Sequence, residues 1–164
     1  MKNKILMLAL IMSIGIGIFA QDNKPKLYEP FRNADQQIDS ALKIAKAQKK
    51  NVFIQVGGNW CSWCILFQKF YSTDKQIDSA MKASYVVTHL NYSKENKNLK
   101  ALEKLDFPQR FGFPVIVILN QEGKRIHTQN TSYLEEGKGY NKEKVLDFIN
   151  AWSPAALDPE KYKN

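Results

Sequence analysis

Asn51-Val52-Phe53-Ile54-Gln55-Val56, then Gly57-Gly58-Asn59, then Trp60-Cys61-Ser62-Trp63-Cys64, then Ile65-Leu66-Phe67-Gln68-Lys69-Phe70-Tyr71: the reading of this stretch decides the fold. The first run is short and apolar, the mark of a buried strand. The last run carries an apolar stripe at helical spacing. Two glycines make a tight turn between them. The only two cysteines of the chain therefore sit where a strand hands over to a helix. The positive end of a helix favours an anion, so a cysteine there ionises more readily than a free one. A thiolate is the attacking species in disulfide exchange. The second sulfur, three residues on, lies over the same helical face and can close a ring with the first. A redox pair, a structural disulfide and a metal site remain open on the residues alone. A disulfide over so short a loop stabilises little. Zinc would need His89 and His127 as further ligands, at a spacing that matches no common pattern.

Working outward, the chain of 164 residues suits one domain with a real core. Its 44% apolar and 24% charged residues are an ordinary globular balance. The net charge is +8, or +6 without Lys2 and Lys4. The lysines are dispersed. Lys97, Lys100 and Lys104 fall at helical spacing and read as a solvated face, so no nucleic-acid partner is expected. Met1-Lys2-Asn3-Lys4, an apolar run from Ile5 to Phe19 and then Ala20 predict a secretory signal peptide over residues 1–20. The mature chain is then periplasmic or secreted, where disulfides persist. Ile18 is bulkier than cleavage prefers, which keeps an N-terminal membrane anchor as the alternative. No cysteine near residue 20 points to lipid modification.

Residues 21–33, broken by Pro25 and Pro30, read as an extended segment. A domain follows over 34–152. Asn33 or Asp35 caps a helix running to about Gln48, with Ile38, Leu42, Ile44 and Ala45 inward. The helix from Cys61 reaches Tyr71. A second one follows, capped within Ser72–Asp74, with Ile77, Ala80 and Met81 inward. Tyr85–Tyr92 is a strand, Glu95–Leu105 a helix, and Phe107–Phe113 a loop ended by Pro114. Val115–Leu119 is an apolar strand, and Asn120-Gln121-Glu122-Gly123 turns it into an antiparallel partner over Arg125–Gln129. Thr131–Tyr140 reads as a polar loop, and Gly137-Lys138-Gly139 within it as a turn without phosphate-loop spacing. Lys142–Trp152 is a closing helix, and residues 153–164 a loose tail. Trp63, Phe67 and Phe70 read as packing, and His127 as a solvated residue of an edge strand. Apolar strands separated by helices indicate an α/β fold, a sheet covered on both faces.

With Trp60-Cys61-Ser62-Trp63-Cys64 at its junction, and Gly112-Phe113-Pro114-Val115 opening an apolar strand fifty residues after Cys64, the chain resembles the thioredoxin-like family. It is most similar to the small exported members from bacteria, over about Asp35 to Trp152. The resemblance implies a central mixed β-sheet of four to five strands flanked by helices on both faces. It implies a thiol–disulfide oxidoreductase in which Cys61 attacks a substrate disulfide and Cys64 resolves the mixed disulfide. Pro114 would be cis, the Phe113 backbone would offer a strand edge to a peptide, and Trp60 would cover the site. No cofactor is implied beyond the Cys61–Cys64 disulfide, and no metal. The implied partners are protein or peptide disulfides and a membrane electron donor, with the protein a monomer. Strong exported oxidants of the family carry a sizeable helical insertion between the middle strands; here only Ser93–Phe113 lies between them, which favours reduction or interchange. The alternative is a peptide-binding or chaperone-like module without redox turnover. Two positions depart from the family. Gln55 stands where many members carry a buried aspartate, and His89 where they carry a lysine. For the proton of Cys64, a relay through His89 or through water held by Gln55 is one reading, and a plain strand histidine with a hydrogen-bonded ring is the other.

Overall fold

The computed structural model describes residues 26–163. The targeting segment over 1–20 lies outside the described residues. Helix α1 (Ala34–Gln48) is followed by strand β1 (Asn51–Gly57), α2 (Ser62–Thr73), α3 (Lys75–Ser84), β2 (Tyr85–Asn91) and α4 (Leu99–Lys104). Then come β3 (Val115–Leu119), β4 (Arg125–Asn130), a two-residue ribbon of β5 (Glu135–Glu136) and β6 (Gly139–Tyr140), and α5 (Lys142–Ala151). The main sheet has four strands in the order β2-β1-β3-β4. β1 pairs parallel with β2 and antiparallel with β3, and β3 pairs antiparallel with β4, so the sheet is mixed.

The period of two along β1 sorts its side chains between two cores. Val52, Ile54 and Val56 pack with Ala41, Ala45, Leu102, Val115 and Val117, under α1 and α4. Phe53 packs on the other face with Phe67, Tyr71, Ile77, Met81, Phe148 and Ile149, under α2, α3 and α5. Burial of a side chain such as Phe53 is worth about 1.5–3 kcal/mol. Gln55 shares the α2 face with Phe53, and this places an amide directly beneath the cysteine pair.

Local caps explain most boundaries. The Asn33 side chain accepts from the Gln36 N–H and starts α1; that of Asp74 accepts from Gln76 and Ile77 and separates α3 from α2. Several sequence expectations are corrected. The helix expected from Glu95 begins at Leu99, because Ser93, Asn96 and Asn98 hydrogen-bond the backbone locally instead. Lys97 consequently stands outside the helix that holds Lys100 and Lys104. Ile44 faces solvent, and Gln37 takes an inward position by donating to Thr88 Oγ1 and to the His89 carbonyl. The loop over 131–140 is a 3-10 turn and the β5–β6 ribbon, with Thr131, Leu134 and Tyr140 buried. His127 is half-buried, its ring stacked on Trp152 at 4.2 Å. The tail from Ser153 is turned, with a 3-10 turn at Pro159–Tyr162.

Candidate active site

Cys61 is the N-cap of α2. Its sulfur accepts from the Cys64 N–H at 3.1 Å, so the cysteine does at this helix start what a serine or aspartate does at others. The first turn of α2 carries no acidic side chain, and the positive end of the helix is left to this sulfur. Cys61 and Cys64 are bonded to each other, with their Cα atoms 5.2 Å apart. Cys64 is wholly buried and Cys61 is 6% exposed. Both sulfurs are well covered, and Cys61 is the more accessible of the two.

Phe113 packs against the cysteines and the buried Tyr28. The Phe113–Pro114 peptide bond is cis, and the buried Pro114 carbonyl accepts from Thr131 Oγ1 at 2.6 Å. Trp60, 59% exposed, stands edge-on to Phe113 at 5.5 Å and donates its indole N–H to the Tyr92 carbonyl at 2.7 Å. Phe113 in turn lies over Tyr92 at 4.8 Å. Beside Trp60 opens a cleft of about 510 Å³, walled by Tyr92, Ser93, Lys94, Glu95 and Lys97. Trp63 turns away from this cleft and meets Tyr140 edge-on at 5.5 Å, as packing.

A family model described as thioredoxin-like matches residues 33–121, more than half of the chain, from the cap of α1 to the turn after β3. The chain belongs to the thioredoxin-like family. Among solved structures it is similar to a disulphide isomerase from Xylella fastidiosa Temecula1, at 22% identity over 75% of this chain and 93% of that one, with a TM-score of 0.66. It is also similar to a DsbH oxidoreductase, at 20% identity over 69% of this chain and 79% of that one, with a TM-score of 0.51. At these identities the likeness is one of fold. No curated protein matches the chain. In this thioredoxin-like fold the bonded Cys-Ser-Trp-Cys pair stands at the head of the helix after the first strand.

Beneath the pair lies the amide of Gln55. Gln55 Nε2 donates to the Cys64 carbonyl at 2.9 Å and to the Tyr28 hydroxyl at 2.6 Å. Gln55 Oε1 is buried without a protein partner among the described residues. His89, beside Gln55 on β2, holds the Tyr71 hydroxyl through Nε2 at 2.9 Å and meets the Tyr28 ring edge-on at 5.6 Å. Burial pushes the His89 imidazole down to about 4, so it is neutral near pH 7. Burial also holds the hydroxyls of Tyr28 and Tyr71 well above the ordinary tyrosine range.

Sequence reasoning missed Tyr28. It lies in the segment read as extended and irregular, yet it is wholly buried. Its backbone N–H donates to Asn59 Oδ1 at 3.1 Å, and Asn59 Nδ2 donates to its carbonyl at 2.7 Å. This reciprocal pair fastens residue 28 to the turn that carries the cysteines. The one hint in the sequence is the apolar pair Leu27-Tyr28 inside an otherwise polar stretch.

Proposed function

We propose that the protein is an exported thiol–disulfide oxidoreductase that reduces or interchanges disulfides of proteins or peptides through Cys61 and Cys64. The observation that carries this is the sulfur of Cys61 serving as the cap of α2, accepting the Cys64 N–H, with no acidic residue in the first turn to compete for the helix end. In the reduced protein the same N–H and the helix dipole stabilise a Cys61 thiolate. That thiolate attacks one sulfur of a substrate disulfide, and the other leaves as a thiolate. Cys64, one turn deeper, then attacks Cys61 Sγ, the Cys61–substrate bond breaks, and two electrons have passed to the substrate.

Trp60, Phe113 and Pro114 form the substrate seat in this reading, with the Phe113 backbone as the edge for an extended peptide. The proton of Cys64 is assigned to His89 or to water held by Gln55; burial that holds the imidazole at about 4 makes it a weak base and favours the water. The connection from β2 to β3 holds only α4 and a 3-10 turn at Pro108–Phe111, which supports the reducing or interchange direction over strong oxidation. A reductant outside the cytoplasm needs electrons, and a membrane carrier is the partner assigned to supply them. Export rests on the basic start and apolar run of residues 1–20.

The test compares reduction of a peptide disulfide by the wild type, Cys61→Ser and Cys64→Ser. Cys61→Ser should be inactive, and Cys64→Ser should accumulate a covalent adduct with the substrate through Cys61. Equal activity of the wild type and Cys61→Ser would overturn the proposal in favour of a peptide-binding module that uses the same seat.

A further inference from the structure

Exchange through this pair leaves Cys64 as a buried thiolate at the moment it attacks. A buried anion without a partner is costly, and the polar side chain beneath it is the uncharged amide of Gln55. The titratable groups gathered around Cys64 and its neighbours are Cys61 and Tyr71 of α2, His89 of β2, Tyr140 of β6 and Tyr28 of the N-terminal segment. None of these is a carboxylate or a standing cation. One of them borders the sulfur. A β-carbon built on Gly57 would overlap Cys64 Sγ and stand 2.8 Å from the Tyr28 hydroxyl oxygen, so that sulfur and that oxygen flank the same point. Tyr28, Cys61 and Cys64 form one buried cluster.

The direction of the hydrogen bonds completes the picture. Tyr28 Oη accepts from Gln55 Nε2, whose other hydrogen is spent on the Cys64 carbonyl. The hydroxyl proton of Tyr28 is therefore not directed at Gln55 Nε2 and is free to be donated. We infer that Tyr28, oriented by Gln55, donates its hydroxyl hydrogen bond to Cys64 Sγ in the reduced protein and stabilises the resolving thiolate. The inference rests on the redox reading above and deepens it. Tyr28 keeps its proton throughout; the Cys64 proton departs, and the electron pair of the thiolate forms the new bond to Cys61. The reciprocal Tyr28–Asn59 backbone bonds hold the donor in place.

A hydrogen bond to a charged group is worth about 1.5–3 kcal/mol, and 1.36 kcal/mol is one pH unit in an ionisation. Tyr28→Phe keeps the ring that packs on His89 and removes the donor. It should raise the ionisation midpoint of Cys64, read from the cysteine ¹³Cβ resonance of the reduced protein, by about one pH unit or more. Resolution of the mixed disulfide near neutral pH should slow about threefold, since a tenfold loss of thiolate is half offset by the stronger nucleophilicity of a more basic one. Replacing Tyr28 alone with 3-fluorotyrosine, a stronger donor of nearly the same shape, should move the midpoint down and keeps the test open if Tyr28→Phe folds poorly. A Cys64 midpoint unmoved by either change overturns the inference. The titration needs no substrate, so a wild type that reduces no peptide disulfide overturns the functional reading while the titration still decides on Tyr28.

Discussion

A β-carbon at Gly57 would occupy the space of the Cys64 sulfur. The last residue of β1 and the second cysteine of the pair are thus in direct apposition, and the closeness requires the missing side chain. Neither Gly57 nor Gly58 has a positive φ, so these glycines serve close approach and not an unusual turn. Gly57→Ala should destabilise the protein by about 1–3 kcal/mol, the usual cost of overpacking. Gly139→Ala, where a β-carbon meets nothing within 4 Å, should be close to neutral. Urea unfolding of the two variants under oxidising conditions checks this, and equal midpoints would refute it.

Trp60 spends a large exposed aromatic surface on a contact with Phe113 and a bond to the Tyr92 carbonyl. Such a ring is better explained by what lands on it than by the fold it supports. Trp60→Ala should raise KM for a peptide disulfide by roughly 2- to 10-fold, the equivalent of the 0.5–1.5 kcal/mol of an aromatic contact. It should change kcat and the unfolding midpoint little. Steady-state kinetics decide it, and an unchanged KM would remove Trp60 from the substrate seat.

His89 ties stability to acidity. Its folded value of about 4 lies below the usual 6.5, so between those two pH values the unfolded chain binds a proton that the folded chain refuses. Stability from this group is complete above about pH 6.5 and falls as pH drops toward 4, by up to about 1.4 kcal/mol per unit. His127, also lowered by burial, adds to the same slope. His89→Gln should therefore flatten the dependence in part, measured as unfolding free energy between pH 7 and 4.5. The same variant examines the proton path, because an unchanged pH profile of disulfide exchange would release His89 from it.

Thr131 holds the carbonyl of Pro114 inside the protein through a 2.6 Å bond. Thr131→Val preserves shape and leaves that carbonyl without its donor. A loss of about 1–3 kcal/mol is expected, along with weaker peptide turnover, while Thr131→Ser should retain most of both. Thermal unfolding together with the exchange assay separates the outcomes, and a stable, fully active valine variant would disprove the role.

Much of this was legible from residues 51–71 and 112–119. Continuous apolar runs are unambiguous when both faces of a strand are covered, and a cysteine pair at a strand–helix junction has few other uses. What escaped was structure written in polar side chains. Asn96 donates to the Pro30 carbonyl, and Asn98 to that of Asn91, so a loop replaces the start of the helix expected from Glu95. Tyr28 escaped because its burial depends on Asn59 and Gln55, distant in the chain and neutral in any hydrophobic pattern. Ile44 looked inward by spacing alone, yet that face of α1 is left to solvent.

The asparagine-rich turn after β2 has one more effect. Asn91 Nδ2 bonds Ser93 Oγ and the Asn96 carbonyl, and Asn96 reaches across to residue 30, so the far wall of the cleft beside Trp60 is braced from several sides. A peptide seated there, as proposed above, would meet a rim already set in shape. Little ordering of the host would oppose its arrival, and modest contacts would suffice for selective capture.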